Sequence, residues 1–395
     1  MKKETTILLL LAAVNFTQIL DFMIMMPLGD NLMAFFQTDS QGFSSIVSSY
    51  SLSAGIVGIL VASLINNYNR KHVLLLSYAG FTIGTFLCGT ADILQEIIIY
   101  RVITGAFGVV SAGIIFAIVG DLVSFENRGK AMGIVSMGFA LAAAIGVPLG
   151  LFLGNVYSWR FPFFMIVAIS TIVLIALMKV LPSMTDHITR KQKILNAQVG
   201  VVKNSNQLIA LSFMMLLLFS QFIIIPYIAT FMEYNVGFSK KHLLLLYLIG
   251  GIGSVVTGPV FGKIGDKIGK KKMYIILLIL SLPPILMITF LGKGEIILAL
   301  IMTTLFFILS GGRVILATTI VLSTATASER AGFMSIRASL QHFGAGIAAT
   351  IGGMIVSQNM STKEYINYST TGYISIIGGI LTLLFLKKIT MLKND

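Results

Sequence analysis

GKIGDKIGKKK, residues 262–272, is one member of a repeat, because a worn copy, ASLINNYNRKH, stands two hundred residues earlier at 62–72. Each copy separates two long apolar segments. In the later copy Gly262 and Gly269 permit close backbone approach, Asp266 supplies an anion at a helix start, and Lys267, Lys270, Lys271 and Lys272 supply cations. In the earlier copy Asn66 replaces Asp266 and Asn69 replaces Gly269, while Arg70 and Lys71 keep the basic end. A charged turn repeated at that interval in a chain of 395 residues marks a duplicated half. Fainter echoes agree. Pro27 matches Pro226 at an offset of 199, while Arg128 and Met132 match Arg330 and Met334, and Gly150 matches Gly352, at 202.

With 56% hydrophobic residues, 11% charged residues and a mean hydropathy of +0.93, a soluble domain would expose more apolar surface than water tolerates. Stretches of about 20 apolar residues suit a hydrocarbon core about 30 Å thick. Twelve are expected, at 6–33, 43–66, 72–91, 95–122, 130–154, 161–181, 206–233, 241–262, 272–292, 296–325, 331–357 and 371–387. The fold class is therefore an all-α membrane protein of two pseudo-symmetric six-helix bundles. The expected divisions are 1–181, a polar cytoplasmic linker at 182–206, and 207–395. The first stretch follows Lys2 and Lys3, exceeds a signal-peptide core and shows no convincing cleavage site, so it is read as a helix. The single cysteine, Cys88, falls in the third span and reads as small packing.

A net charge of +13 raises the question of nucleic acid, but its distribution excludes that reading. With both termini inside, twenty Lys and Arg residues fall on cytoplasmic segments, five on outer loops and three within spans. That asymmetry is the positive-inside pattern, so the expected location is a bacterial inner membrane, with lipid headgroups as partners. No phosphate-cradling GxxxxGK[ST] and no His/Cys metal spacing occurs, so no enzyme, cofactor or metal is expected and energy must come from a gradient. A non-transporting sensor or lipid-binding scaffold is the competing class, but the loops offer no signalling domain.

Ionisable groups inside a bilayer are functional candidates by default. Of fifteen acids only Asp21 lies well inside a span, near the middle of the first helix. Asn15, Gln18 and Asp21 recur at one-turn spacing and form a polar stripe. A carboxyl there is suited to reversible protonation, and the plain alternative is a structural tie to a neighbouring helix. Arg101 enters span 4 and can pair with Asp21, either as a modulator or as a fixed packing ion pair. Arg313 falls near the middle of span 10 with no acid at comparable depth, which suits capture of a carboxylate or phosphate, or pairing with backbone carbonyls. Arg337 either snorkels or joins a gate with Asp266. His342 is a second candidate proton carrier, more plainly a packing residue. Asp266, Lys270, Arg70 and Asn66 form candidate latches on the cytoplasmic side. Gly138, Ala142, Gly146, Gly150 and Gly154 recur every four residues, which lets two helices approach, and Pro148 adds a bend.

Six plus six helices around a basic central loop, with charged turns after spans 2 and 8, resemble the major facilitator superfamily along the whole chain. Gly262–Lys272 is similar to that family's loop 2–3 motif, and Arg101-Val-Ile-Thr-Gly105 with Gly108 resembles its fourth-helix arginine motif. Gly138, Gly146-Val-Pro148-Leu-Gly150 and Gly154 resemble the fifth-helix signature of its drug and metabolite antiporters, and Tyr157 to Phe163 the start of their sixth helix. The resemblance implies alternating access, Arg101 facing a central cavity, Asp121 as partner of Arg70, and exchange rather than uniport. The function expected is proton-coupled antiport exporting a small organic molecule, with Asp21 and Arg101 handling the proton. Asn15, Gln18, Asp21, Arg101 and Arg313 would line the substrate site. Because arginines outnumber acids within the spans, an anionic or zwitterionic metabolite, carboxylate siderophore or drug is favoured. Uptake of an organic anion or nutrient is the alternative, and a monomer is expected.

Overall fold

The computed structural model describes residues 2–61, 68–124, 128–185, 204–325, 330–359 and 361–391. The first half comprises α1 (Lys2–Ile24), α2 (Gly29–Phe35), α3 (Ser40–Val61), α4 (Arg70–Thr90), α5 (Leu94–Leu122), α6 (Arg128–Leu141), α7 (Val147–Val156) and α8 (Phe161–Val180). The second comprises α9 (Ser205–Phe222), α10 (Ile228–Phe231), α11 (Lys240–Ile268), α12 (Lys270–Phe290), α13 (Ile296–Leu322), α14 (Arg330–Ile355) and α15 (Tyr368–Lys388). A two-stranded hairpin, β1 (Ser357–Gln358) and β2 (Tyr365–Ile366), joins the last two helices. Among the described residues, eleven spans are long and apolar enough to cross a membrane, and α14 stands where the eleventh of the twelve expected spans lies.

The duplication recurs in the packing. In the first half α1 packs on α6 and α8, α3 on α5, and α4 on α5 and α8; in the second α9 packs on α14 and α15, α11 on α13, and α12 on α13 and α15. The halves meet along two seams, α3 against α14 and the α6–α7 span against α11.

Proline breaks the first helix of each half at the matching place. Pro27 has no N–H to give and its ring would clash with the carbonyl four residues back, so α1 ends at Ile24 and the Met23 carbonyl accepts from Met26 N at 3.3 Å instead. Pro226 ends α9 at Phe222 in the same way, and a 3₁₀ turn at Ile225–Tyr227 follows. Asp21 therefore sits three residues from the end of α1, not at the middle of an unbroken span. The fifth span carries a π-turn at Ala142–Gly146 immediately before Pro148, and this turn takes up the bend. Its glycine stripe faces α1: a Cβ added at Gly138 would lie 2.5 Å from the Ala12 carbonyl, and one at Gly150 2.6 Å from Ile24 Cδ1.

The stretch at 262–272 is mostly helix rather than turn. Residues 262–268 complete α11, and Gly269 alone reverses the chain at φ +99°, a conformation suited to glycine. Asp266 thus lies in the last turn of α11, not at a helix start. Gly262 approaches nothing among the described residues; the closely packed glycine is Gly265, against Leu316. In the earlier copy Asn69 caps α4 by accepting from Lys71 N at 3.0 Å, and its side chain also accepts from Met184 N at 3.1 Å. Asn66 lies outside the described residues.

Twelve alternating crossings put both chain ends on one face, here the terminus face. The opposite, far face is drawn shut by contacts between the halves. Asp30 of α2 accepts from Tyr234 Oη at 2.7 Å and lies 3.7 Å from Lys240 Nζ and 3.6 Å from Lys363 Nζ. Ser40 Oγ donates to the Val356 carbonyl across the same boundary. Nearby, Lys293 pairs with Glu364 at 2.5 Å and holds that half-buried carboxyl below the usual carboxylate range. Along the α3–α14 seam, Gly55 abuts Phe343, Gly346 abuts Leu52 and Gly353 abuts Ser44. A methyl group added at Gly120, Gly133 or Gly262, toward the terminus face, would meet nothing among the described residues, whereas the α3–α14 seam continues there with Gly58 against Ser339.

Candidate functional site

Three residues one turn apart on α1 reach three different helices. Asn15 Nδ2 donates to the Val135 carbonyl of α6 at 3.0 Å, and Gln18 Nε2 donates to Ser111 Oγ of α5. Asp21 reaches Arg101 of α5, with Oδ2 2.6 Å from Nη1, while its Oδ1 accepts from Thr85 Oγ1 of α4 at 3.1 Å. Asp21 and Arg101 are both 0% exposed. The stripe is real, but Asn15 and Gln18 spend their donors on holding the bundle together.

A fully buried pair stands only if the attraction between its members and their remaining hydrogen bonds offset desolvation. Here the guanidinium is under-satisfied: Arg101 Nε and Nη2 are buried without hydrogen-bond partners among the described residues. The Tyr50 ring of α3 supplies what they lack, with Arg101 Cζ 4.4 Å from its centroid. Cys88 of α4 joins the same pocket, its sulfur 3.7 Å from Thr104 Oγ1. The pair lies nearer the far face, since Arg101 is seven residues into α5, about 10 Å at 1.5 Å per residue. Chemically, Asp21 has two ways to be neutralised at this depth, the guanidinium or a proton.

Across the boundary between halves the Tyr50 ring also meets His342 of α14, with centroids 6.1 Å apart. Phe22 lies 5.4 Å from Tyr50, 5.7 Å from His342 and 5.6 Å from Phe222. Phe22 and Phe222 are two hundred residues apart, each in the last turn of a proline-ended helix, so they are mates of the duplication. That offset was a readable signal. Tyr50 and Thr85 carried none, because an aromatic or hydroxyl side chain in an apolar span looks like packing until its neighbours are known.

Arg313 is 1% exposed, and among the described residues its one hydrogen bond is from Nη2 to Ser310 Oγ on its own helix at 3.3 Å, so its want of an acidic partner stands. Its Nη1 approaches Gly379 of α15, and Tyr274 of α12 lies close by. It points into the second bundle, away from both seams, and does not join Asp21 and Arg101. Arg337, partly accessible, donates to Thr318 Oγ1 of α13 at 3.0 Å and has no contact with Asp266. Of the expected latches, Arg70 Nε pairs with Asp121 Oδ2 at 2.5 Å inside the first half. Asp266, in the last turn of α11, pairs at 3.5 Å with Lys270, the first residue of α12, a contact local to that turn and inside the second half. Among the described residues, the ionic contacts between the halves are instead those of Asp30 on the far face.

The sequence profile described as "Major Facilitator Superfamily" matches residues 11–219 and 210–391. An uncharacterized MFS-type transporter of Bacillus subtilis, YceJ, is 26% identical over 245 residues, covering 60% of this chain and 60% of that protein. "Multidrug resistance protein 3" of the same organism is 32% identical over 152 residues, covering 38% of this chain and 29% of its own length. The aligned stretch thus spans about 60% of the first of these relatives and less of the second. Among solved structures, the partially occluded inward-open form of the xylose transporter XylE from E. coli superposes with a TM-score of 0.76 at 16% identity, covering all of both chains. The nucleoside transporter NupG superposes with a TM-score of 0.73 at 14% identity, covering 98% of this chain and all of its own. At such identities these likenesses show the fold, and the profile, matched through both bundles, shows the family: the chain belongs to the Major Facilitator Superfamily.

Proposed function

We propose that this chain is a secondary transporter that exchanges protons for a small organic molecule and exports it, with Asp21 taking up and releasing the proton. The observation that carries this reading is the sealed Asp21–Arg101 pair, 2.6 Å apart, whose guanidinium has two nitrogens without hydrogen-bond partners among the described residues. Such a pair is poorly explained as a stability device, because a well-packed apolar replacement is commonly as stable. It is well suited to a group that trades one neutralising partner for another as the halves rock about their seams. The far-face contacts at Asp30 support reading this arrangement as one end state of that cycle.

Because Arg101 is neutralised by Asp21 and Arg313 is turned inward, the fixed cation best placed for an anionic or zwitterionic substrate is Arg337, partly accessible beside α13. Export is supported by the fifth-helix glycine pattern and by the multidrug resistance protein among the relatives. The test is transport by purified protein in liposomes under an imposed pH gradient, with citrate as an anionic and ethidium as a cationic probe. Asp21→Asn should abolish gradient-driven movement of whichever probe is carried. Full gradient-driven transport by that variant would sink the proton assignment. Accumulation in inside-out rather than right-side-out vesicles separates export from uptake.

A further inference from the structure

We propose that Tyr50 is the positioning residue through which the charge state of the Asp21–Arg101 pair reaches His342 and the seam between the halves. This rests on the proton role of Asp21 proposed above. Tyr50 is held from three sides. Its carbonyl lies against Gly105 of α5, and a Cβ added at Gly108 would come within 2.8 Å of its hydroxyl, so α3 sits on α5 as closely as glycines allow. Its ring lies beneath the Arg101 guanidinium at 4.4 Å. On the side facing the second half, His342 meets the ring at 61°, within a seam where Gly55 abuts Phe343 and Gly346 abuts Leu52.

The physical link is the solvation of Arg101. With Asp21 ionised, one side of the guanidinium is neutralised by the carboxylate and the ring face serves the nitrogens that lack acceptors. When Asp21 takes a proton, the full charge of Arg101 falls on its remaining contacts, the Tyr50 ring face among them. Any displacement of that ring acts on His342 directly, because the two rings are in contact and the glycine seam leaves little slack. The titratable groups beside Asp21 are Arg101 from α5, Tyr50 from α3 and Cys88 from α4; beside His342 the facing rings are Tyr50 from α3 and Phe22 from α1. The ring, and not the hydroxyl, is what the link requires.

The experiment needs no substrate. Spin labels at Gln41→Cys and Ser361→Cys, on exposed positions either side of the far-face boundary with the fully buried Cys88 left in place, report its opening in lipid nanodiscs by electron–electron distance measurement across a pH series. The native residues at 21 and 50 should give a closed-to-open ratio that changes with pH, and Tyr50→Phe should reproduce it. Tyr50→Leu, which keeps apolar volume and loses the ring face, should flatten the pH response at least about tenfold while the labels still report a folded, two-state distribution. A Tyr50→Leu response that tracks the parent overturns the proposal. Should Tyr50→Leu fail to fold, 3-fluorotyrosine labelling decides. The Tyr50 fluorine resonance, assigned by its absence in Tyr50→Phe, should move with pH in the parent and stand still in Asp21→Asn; a resonance that ignores pH in the parent overturns the proposal equally. If Asp21→Asn keeps the full pH response of the far-face distance, the proton assignment itself has failed. If Asp21→Asn loses it and Tyr50→Leu does not, only the role of Tyr50 has failed.

Discussion

Removing the Asp30 carboxylate should loosen the far face by a calculable amount. Three groups of the second half converge on it: Tyr234 Oη at 2.7 Å, Lys363 Nζ at 3.6 Å and Lys240 Nζ at 3.7 Å. A hydrogen bond to a charged acceptor contributes about 1.5–3 kcal/mol. The lysines are 48% and 43% exposed and lie beyond ideal contact, so each contributes about 0.5 kcal/mol or less after solvent screening. Lys240 also keeps Glu233 at 2.7 Å, which reduces its share further. Asp30→Ala should therefore cost the closed state about 2–3.5 kcal/mol, a shift of roughly 30- to 300-fold in its ratio to the open state. Asp30→Asn leaves Tyr234 a neutral acceptor and should cost about half as much. The assay is labelling of Ser44→Cys, buried in the α3–α14 seam behind Asp30, by a membrane-impermeant maleimide in intact cells carrying Cys88→Ser. Its rate follows the open population even when that state is rare. Rates should rise in the order parent, Asp30→Asn, Asp30→Ala; equal rates in all three would show that the seam alone holds the far face shut.

Gly138→Val should lower the thermal unfolding midpoint in detergent by several degrees, because its Cβ would sit 2.5 Å from the Ala12 carbonyl and force α6 from α1. Gly133→Val on the same helix, with nothing described within 4 Å, is the control and should change it little; equal losses would refute the packing assignment. Arg313→Met should hold or raise the midpoint, because it removes a buried cation hydrogen-bonded to Ser310 alone among the described residues and fills the same space. A marked loss in a folded but destabilised protein would show that Arg313 has a partner its present geometry does not reveal.

What could be read from the sequence was whatever depends on composition along one helix. Span lengths, the duplication and the glycine stripe of the fifth helix follow from local spacing, and the stripe indeed meets a neighbour, α1. The pairing of Asp21 with Arg101 was readable too, because two opposite charges in so apolar a half have few other ways to be neutralised. Partners were not readable. Asn15 and Gln18 look like cavity lining from α1 alone, and only the positions of Val135 and Ser111 show that their donors are spent inside the bundle. Asp266 looks like a latch because its motif is charged, yet its cation is Lys270 just across the Gly269 turn, at the start of α12. Asp30 was passed over because an acid beside a span end carries no cost that demands explanation, although it proves to join the two halves.

The division of chemistry between the two ends of the boundary has a physical logic. On the transport cycle proposed above, a contact that breaks and re-forms each time cannot be worth much more than the driving force available. The seam of α3 on α14 sets Gly55 against Phe343, Gly346 against Leu52 and Gly353 against Ser44, so one member of each of these contacts is a glycine that adds no side-chain surface of its own. Leucines there would each cost about 1.5–3 kcal/mol to re-expose to a water-filled cleft. The ionic contacts at Asp30 are half-exposed, so water replaces them readily as the halves part. The costly element, the sealed Asp21–Arg101 pair, lies inside one bundle, between α1 and α5, and not on the boundary. On the proton role proposed above, Tyr50, whose ring touches both Arg101 and His342, would be a route by which a proton held in one half acts on that boundary.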